Sequence, residues 1–309
     1  MKLLLTGSNG FIGNYFVNKY AANYKIARFS FLNDDFKSIH VEDVDVVIHL
    51  AALVHQMGGA TKEEYEKVNV TQTLELAKKA KEGGVKHFIF MSTVKVYGEE
   101  TDIAYTENSI CSPEDEYGKS KLKAEQELQK LEDDGFKVSI IRTPIVYGYG
   151  VKANIKNLVS LVQKVSVLPF GGIDNKRSMV YIGNLCHLID AVVRFQIKFG
   201  MTDVSGMASM NGMASVDGMT GSGVFLASDD EAISTTKLIE LIAKELDKKV
   251  YLIKIPFFET LLKLVKPSFH KRLYGSLVVD NRLTKDILEF KNLYTVEDGI
   301  RFMTNGEVT

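Results

Sequence analysis

The stretch "KLLLTGSNGFIGNYF", residues 2–16, constrains this chain more than any other. A short apolar strand runs into Gly7, Gly10 and Gly13, and then into a helical pattern. Each glycine has a physical reason: a tight turn at Gly7, close approach of backbone to a pyrophosphate near Gly10, and close helix–sheet packing at Gly13. The alternation that starts here continues to about residue 145. Strands are predicted at "KLLLT", "KIARFSF", "VDVVIHLAA", "HFIFMS" and "KVSIIRT", separated by helical stretches such as 61–83 and 117–134. That order predicts an α/β fold with a parallel sheet covered on both faces.

From about residue 146 the alternation weakens, and short strands with helices near 155–164, 183–198, 234–247 and 256–265 predict a smaller lobe. The division is therefore 1–145 and 146–309, with some core elements of the first unit supplied from later in the chain. Residues 204–221, "VSGMASMNGMASVDGMTG", form a three-fold Gly-Met repeat within an expected loop insertion at 200–223. Such a tract buries too little side chain to offset its ordering entropy.

Composition means that any anionic partner must be held by local groups. With 38 basic and 39 acidic side chains and a net charge of -1, no bulk field attracts nucleic acid or an acidic membrane. Cys111 and Cys186 are far apart, without metal-site spacing, so free thiols in a reducing cytoplasm and no metal are expected. The apolar start is broken at Gly7, too early for a signal peptide, and no apolar run reaches the roughly 18 residues of a membrane span. The most ambiguous stretch, "VYLIKIPFFETLLKLVK", is interrupted by Lys254, Glu259, Lys263 and Lys266. It reads as a strand followed by an amphipathic helix, with membrane contact the lesser alternative.

A dinucleotide fold carries its ribose-reading residue about twenty positions beyond the glycines: an acid for a 2′-hydroxyl, a neutral or basic group for a 2′-phosphate. Ser30 stands there with Arg28 two residues earlier, while Asp34 and Asp35 come too late unless the loop folds back. This favours NADP slightly over NAD. Further on, "EDEYGKSKLKAEQEL" puts Tyr117 and Lys121 four residues apart, on one face at a helix start. A nearby ammonium favours the phenolate of a tyrosine that is otherwise a poor base at neutral pH.

Together these segments resemble the extended short-chain dehydrogenase/reductases of the NAD-dependent epimerase/dehydratase family, the nucleotide-sugar branch. "TGSNGFIG" resembles the family's Gly-x-x-Gly-x-x-Gly loop, "HLAA" its cofactor-lining strand end, and "YGKSK" its Tyr-x-x-x-Lys motif. The resemblance implies a Rossmann-type doubly wound sheet with a smaller C-terminal substrate lobe. It implies that Gly7, Asn9, Gly10, Phe11, Ile12, Gly13, Leu50, Ala51, Ala52 and Asn69 line an NAD(P) site with Arg28 and Ser30. Thr93 would bond the reacting oxygen, Tyr117 would be the acid/base, and Lys121 would hold the nicotinamide ribose and depress the Tyr117 pKa. "IIRTPIVYGYGVKANI" and "NKRSMVYIGNL" resemble substrate-lobe motifs, with Thr143 and Tyr149 where proline is usual and Asn184 where aspartate is common. Asn154 and Arg177 would then meet a sugar-diphosphate, with Arg282 a further phosphate candidate. The helices at 61–83 and 117–134 resemble the pair through which such proteins dimerise, although Glu63, Glu64, Lys78 and Lys79 also suit a solvated face.

The residues after Thr93 separate the chemistries. A sugar 4,6-dehydratase carries an Asp-Glu pair there to move further protons; Val94 has none to move and Lys95 is a cation. Two readings remain. The first is a UDP-4-keto-6-deoxy-sugar reductase of surface-polysaccharide synthesis, preferred by a small margin because "GVKAN" and "TVKVYGE" resemble that branch and Ser30 suits an exchanging NADPH. The second is a UDP-sugar 4-epimerase with tightly held NAD. A non-catalytic dinucleotide sensor is a minor third, disfavoured by the intact Tyr-Lys pair.

Overall fold

A computed structural model describes residues 1–54, 60–200 and 223–306. The strands in chain order are β1 (Lys2–Thr6), β2 (Lys25–Phe29), β3 (Val46–His49), β4 (His87–Thr93), β5 (Lys137–Thr143), β6 (Ile145–Tyr147), β7 (Val167–Leu168), β8 (Met179–Tyr181), β9 (Gly223–Leu226) and β10 (Tyr251–Leu252). The helices are α1 (Phe11–Tyr20), α2 (Lys62–Tyr65), α3 (Gln72–Glu82), α4 (Glu116–Gln129), α5 (Ala153–Lys164), α6 (Ile182–Gly200), α7 (Thr235–Glu245), α8 (Phe258–Val265), α9 (Pro267–Tyr274), α10 (Arg282–Leu288) and α11 (Val296–Asn305). Between α2 and α3 a π-helical turn, Glu66–Thr71, replaces the α pattern.

The main sheet runs β2-β1-β3-β4-β5-β9, every neighbouring pair parallel. The inner strands β1, β3, β4 and β5 are mostly apolar because both faces are covered, and the two-residue period divides them between the two. Leu3, Leu5, Val46, Ile48, Ile89, Met91 and Ile141 face one core with α1 and α6. Leu4, Val47, Phe88, Phe90, Val138 and Ile140 face the other, against Leu76, Ala77 and Ala80 of α3 and Ala124 and Leu128 of α4. The first of these cores continues without interruption into the second half of the chain, through Tyr147, Tyr181, Leu241 and Ile300.

Strand order reverses between β1 and β3, so the crevice beyond their carboxyl ends is where such sheets bind ligands. The second half supplies β9 to the main sheet and two small sheets, β6-β8 and β7-β10, both parallel. The Gly-Met repeat at 204–221 lies outside the described residues. Among the described residues no helix is long and apolar enough to cross a membrane.

Candidate active site

At the reversal point Gly7 has φ +71°, and a Cβ there would lie 2.8 Å from the Ala51 backbone nitrogen. The turn after β1 therefore presses directly on the strand end Leu50–Ala52. A Cβ on Gly13 would lie 2.3 Å from the Gly7 carbonyl oxygen, so α1 starts hard against the same turn. Gly10, the N-cap of α1, contributes no side chain to cap it, leaving the first backbone N–H groups of Phe11, Ile12 and Gly13 directed at the crevice. The donors and the missing side chains fit a dinucleotide pyrophosphate.

Beneath the crevice the polar groups are paired. Thr6 Oγ1 bonds His49 Nδ1 at 2.7 Å, and His49 Nε2 bonds Thr73 Oγ1 at 2.9 Å; burial drops the His49 pKa to about 3, helped by the charge of Lys121. Asn69 lies in the π-helical turn, buried. Its amide accepts from Leu53 N–H at 2.8 Å and donates to the Leu53 carbonyl and to Ser120 Oγ, both at 3.0 Å. Asn69 thus holds the segment that follows β3 in place.

The loop after β2 does fold back. The Asp34 carboxylate accepts the Ser30 backbone N–H at 2.7 Å, and Asp34 N–H bonds the Ser30 carbonyl at 2.9 Å. The end of β2 therefore carries a carboxylate beside Ser30, with Arg28 exposed two residues before.

α4 buries Lys121, Ala124, Glu125 and Leu128 at helical spacing, with Tyr117 partly buried one turn before Lys121. Lys121 is buried, with Nζ 4.1 Å from the centroid of the Phe90 ring on β4. Burial pulls its pKa down to about 7, opposed by Glu125 one turn further on. Glu125 accepts from Ser92 Oγ and from Arg142 of β5 at 2.6 Å, and the Arg142 guanidinium lies 4.7 Å over the Tyr97 ring. The Tyr117 phenol is raised well above its ordinary range by burial, then by Asp115 and Tyr65.

Thr93, at the end of β4, is buried, and Thr143 beside it donates its hydroxyl to the Ser92 carbonyl at 3.1 Å, a bond proline could not make. Lys95 reaches Glu99 and Asp115, both at 2.6 Å, and Asp115 caps α4 by accepting Gly118 N–H at 2.7 Å. Burial alone would lower the Lys95 pKa; the bonds to Asp115 and Glu99 outweigh it and hold the ammonium charged. Lys95 is thus the clasp that ties the strand end of Thr93 to the helix start of Tyr117.

Beside this clasp opens a cavity of about 290 Å³ lined by Lys95, Glu99, Glu114, Asp115, Arg177 and, from α9 and its flank, Pro267, Ser268, Lys271 and Arg272. Arg177 donates to the Gly275 and Lys271 carbonyls at 2.9 and 3.3 Å, its Nε has no hydrogen-bond partner among the described residues, and burial lowers its pKa. Arg272 lowers it further, two guanidinium groups facing one space. Arg272 was not read from the sequence as a site residue. Asn154 and Arg282 do not line this cavity: Asn154 is exposed in the first turn of α5, and Arg282, 85% exposed, forks onto its neighbour Asp280 at 2.5–2.9 Å. Asn184 is buried and donates at 2.8 Å to Asp229, whose own pKa burial raises. An aspartate at 184 would set a second carboxylate against it.

The family model described as "NAD dependent epimerase/dehydratase family" matches residues 3–199. The chain belongs to that family. Its members are nucleotide-sugar epimerases, dehydratases and reductases that work with NAD or NADP, and this chain is an enzyme of that group. Among relatives, a UDP-glucose 4-epimerase from Vibrio cholerae is 36% identical over 97% of this chain and 93% of its own length. The fold is that of a UDP-glucuronic acid 4-epimerase from Bacillus cereus solved with NAD, at TM-score 0.74 and 19% identity over 99% of this chain and 98% of that one. It is equally that of a dTDP-4-dehydrorhamnose reductase from Bacillus anthracis solved with NADP, at TM-score 0.73 and 18% identity over 98% of each chain.

Proposed function

We propose that this member of the family is a nucleotide-sugar 4-epimerase, acting on a UDP-linked sugar and retaining NAD between turnovers. The observation that carries the choice of cofactor is the Asp34 carboxylate on the Ser30 N–H. It suits a ribose 2′-hydroxyl, which donates a hydrogen bond, and repels a 2′-phosphate. This weighs against the Ser30 argument for an exchanging reductase, and the Vibrio cholerae relative supports the epimerase reading. The 4-keto-reductase reading keeps the resemblance of "GVKAN" and "TVKVYGE" to that branch and the exposed Arg28 near the same strand end.

The residues divide the work as follows. The N–H groups of Phe11, Ile12 and Gly13 take the pyrophosphate, and Lys121 holds the ribose nearest the chemistry. The bound dinucleotide supplies the acceptor and donor of hydride at C4. Tyr117 moves the proton at the C4 oxygen, Thr93 bonds that oxygen, and the positive charge of Lys121 brings the raised phenol back toward ionisation. Arg177 and Arg272 take the substrate diphosphate, which neutralises two guanidinium groups that now repel each other. Glu99 and Asp115 are held by Lys95, so neither serves to remove a proton at C5, consistent with redox at one carbon without elimination.

The test is to denature the purified protein and identify any released dinucleotide. Stoichiometric NAD is expected. An empty site that turns over NADPH with a 4-keto UDP-sugar would overturn the epimerase in favour of the reductase. Tyr117→Phe should cut turnover by about 10²–10⁴ while leaving dinucleotide binding intact.

A further inference from the structure

The second lobe carries an apolar surface that neither the core nor the candidate site explains. Phe258 and Leu262 of α8, one turn apart, are its partly buried residues, and none is fully buried. Phe257, Leu261, Leu264 and Val265, spaced to share another side of the helix, are 85, 59, 77 and 66% exposed. Ile253 and Ile255 before the helix and Phe269 in α9 are exposed as well. An amphipathic helix of a globular protein turns its apolar stripe to the core. Here the larger apolar set faces out, and a run of such side chains within one segment marks an interaction surface where a scattered one would not.

The charges around it identify the partner. Exposed Lys254, Lys263 and Lys266 border the patch, and residues 251–272 also contain Lys271 and Arg272. The single acid of that segment, Glu259, lies 3.3 Å from His270. An apolar face with an ammonium rim matches an anionic phospholipid surface: the side chains enter the acyl boundary while the lysine heads stay among the phosphates. A two-fold contact between copies of the chain would instead set these same lysines against each other.

We propose that α8, with residues 253–257 and Phe269, is an interfacial element that docks on an anionic bilayer without crossing it. The adjoining helix α9 contributes Ser268, Lys271 and Arg272 to the wall of the Arg177 cavity. Docking therefore sets that cavity beside the lipid headgroups.

Cosedimentation of the full chain with vesicles of phosphatidylcholine and phosphatidylglycerol, in about a 2:1 ratio, tests this. Binding is expected at low salt, falling as salt rises, and at least about tenfold weaker on phosphatidylcholine alone. Leu261→Ser/Leu264→Ser should weaken it about tenfold or more while keeping the thermal midpoint and turnover. Lys263→Gln/Lys266→Gln should weaken it roughly twentyfold, and on the anionic vesicles only. The proposal is overturned if the chain fails to bind anionic vesicles at low salt, or if binding survives the double serine substitution. It is also overturned if that substitution abolishes self-association in sedimentation velocity while wild type ignores vesicles, which would make a second copy the occupant.

Discussion

Lys121 shows most plainly what the site costs the fold. Its ammonium is buried over Phe90, and because its pKa falls to about 7 the native chain releases a proton that the unfolded chain keeps until about pH 10.4. Between those values the unfolded state binds more protons, so stability rises with pH across that window and the penalty is full below it. Lys121→Met should flatten that slope, raise the unfolding midpoint near neutral pH by roughly 2 °C or more, and abolish turnover; thermal melts across the window check it. Glu125→Gln acts oppositely, leaving Arg142 buried beside a neutral amide, and should cost about 3–5 kcal/mol in urea unfolding. The placing of Tyr117 and Lys121 on one helix face was legible from their four-residue spacing, whereas Thr93 was named through the family resemblance. Glu125 continues the same four-residue spacing and Arg142 interrupts an apolar strand, so both left a local signal. Asp34 was legible only on the condition that its loop folds back, and Arg272 left no signal because it depends on α9 reaching across to Arg177.

Elements were legible where their period is regular. The five predicted strands of the first half and the helices at 61–83 and 117–134 correspond to β1–β5, the α2–α3 run and α4. The π-helical turn within 61–83 has no periodic signature, yet its position decides where Asn69 points. Removing Val70 should restore the α pattern, draw Asn69 away from Leu53 and weaken dinucleotide binding, measured by cofactor titration, at a modest stability cost. The Lys95 clasp also acts between elements. Lys95→Met should leave the fold intact but free Asp115 and Glu99, lowering kcat by about tenfold because Thr93 and Tyr117 lose their common tie. Of the charges on the expected dimer helices, Glu64 caps α2 and Lys79 donates to the Phe36 carbonyl at 3.3 Å. Both have local structural duties.

Across the whole molecule, the buried histidines set the acid limit. His49 and His87 are held near pKa 3 by burial, against about 6.5 when unfolded, so the unfolded state takes up their protons first. Stability should fall as pH drops through that interval, and His87→Gln should lessen the fall in pH-dependent melts. The sheet order has a consequence in time as well as in space. β5 lies between β4 and β9, and residues 144–222 separate β5 from the strand that covers its outer edge. On the ribosome the apolar ladder "KVSIIRT" must wait, unpaired on one side, until about half of the second lobe has been synthesised. Chains that stall within that interval expose a sticky strand edge, the form of this protein that a chaperone would most need to hold.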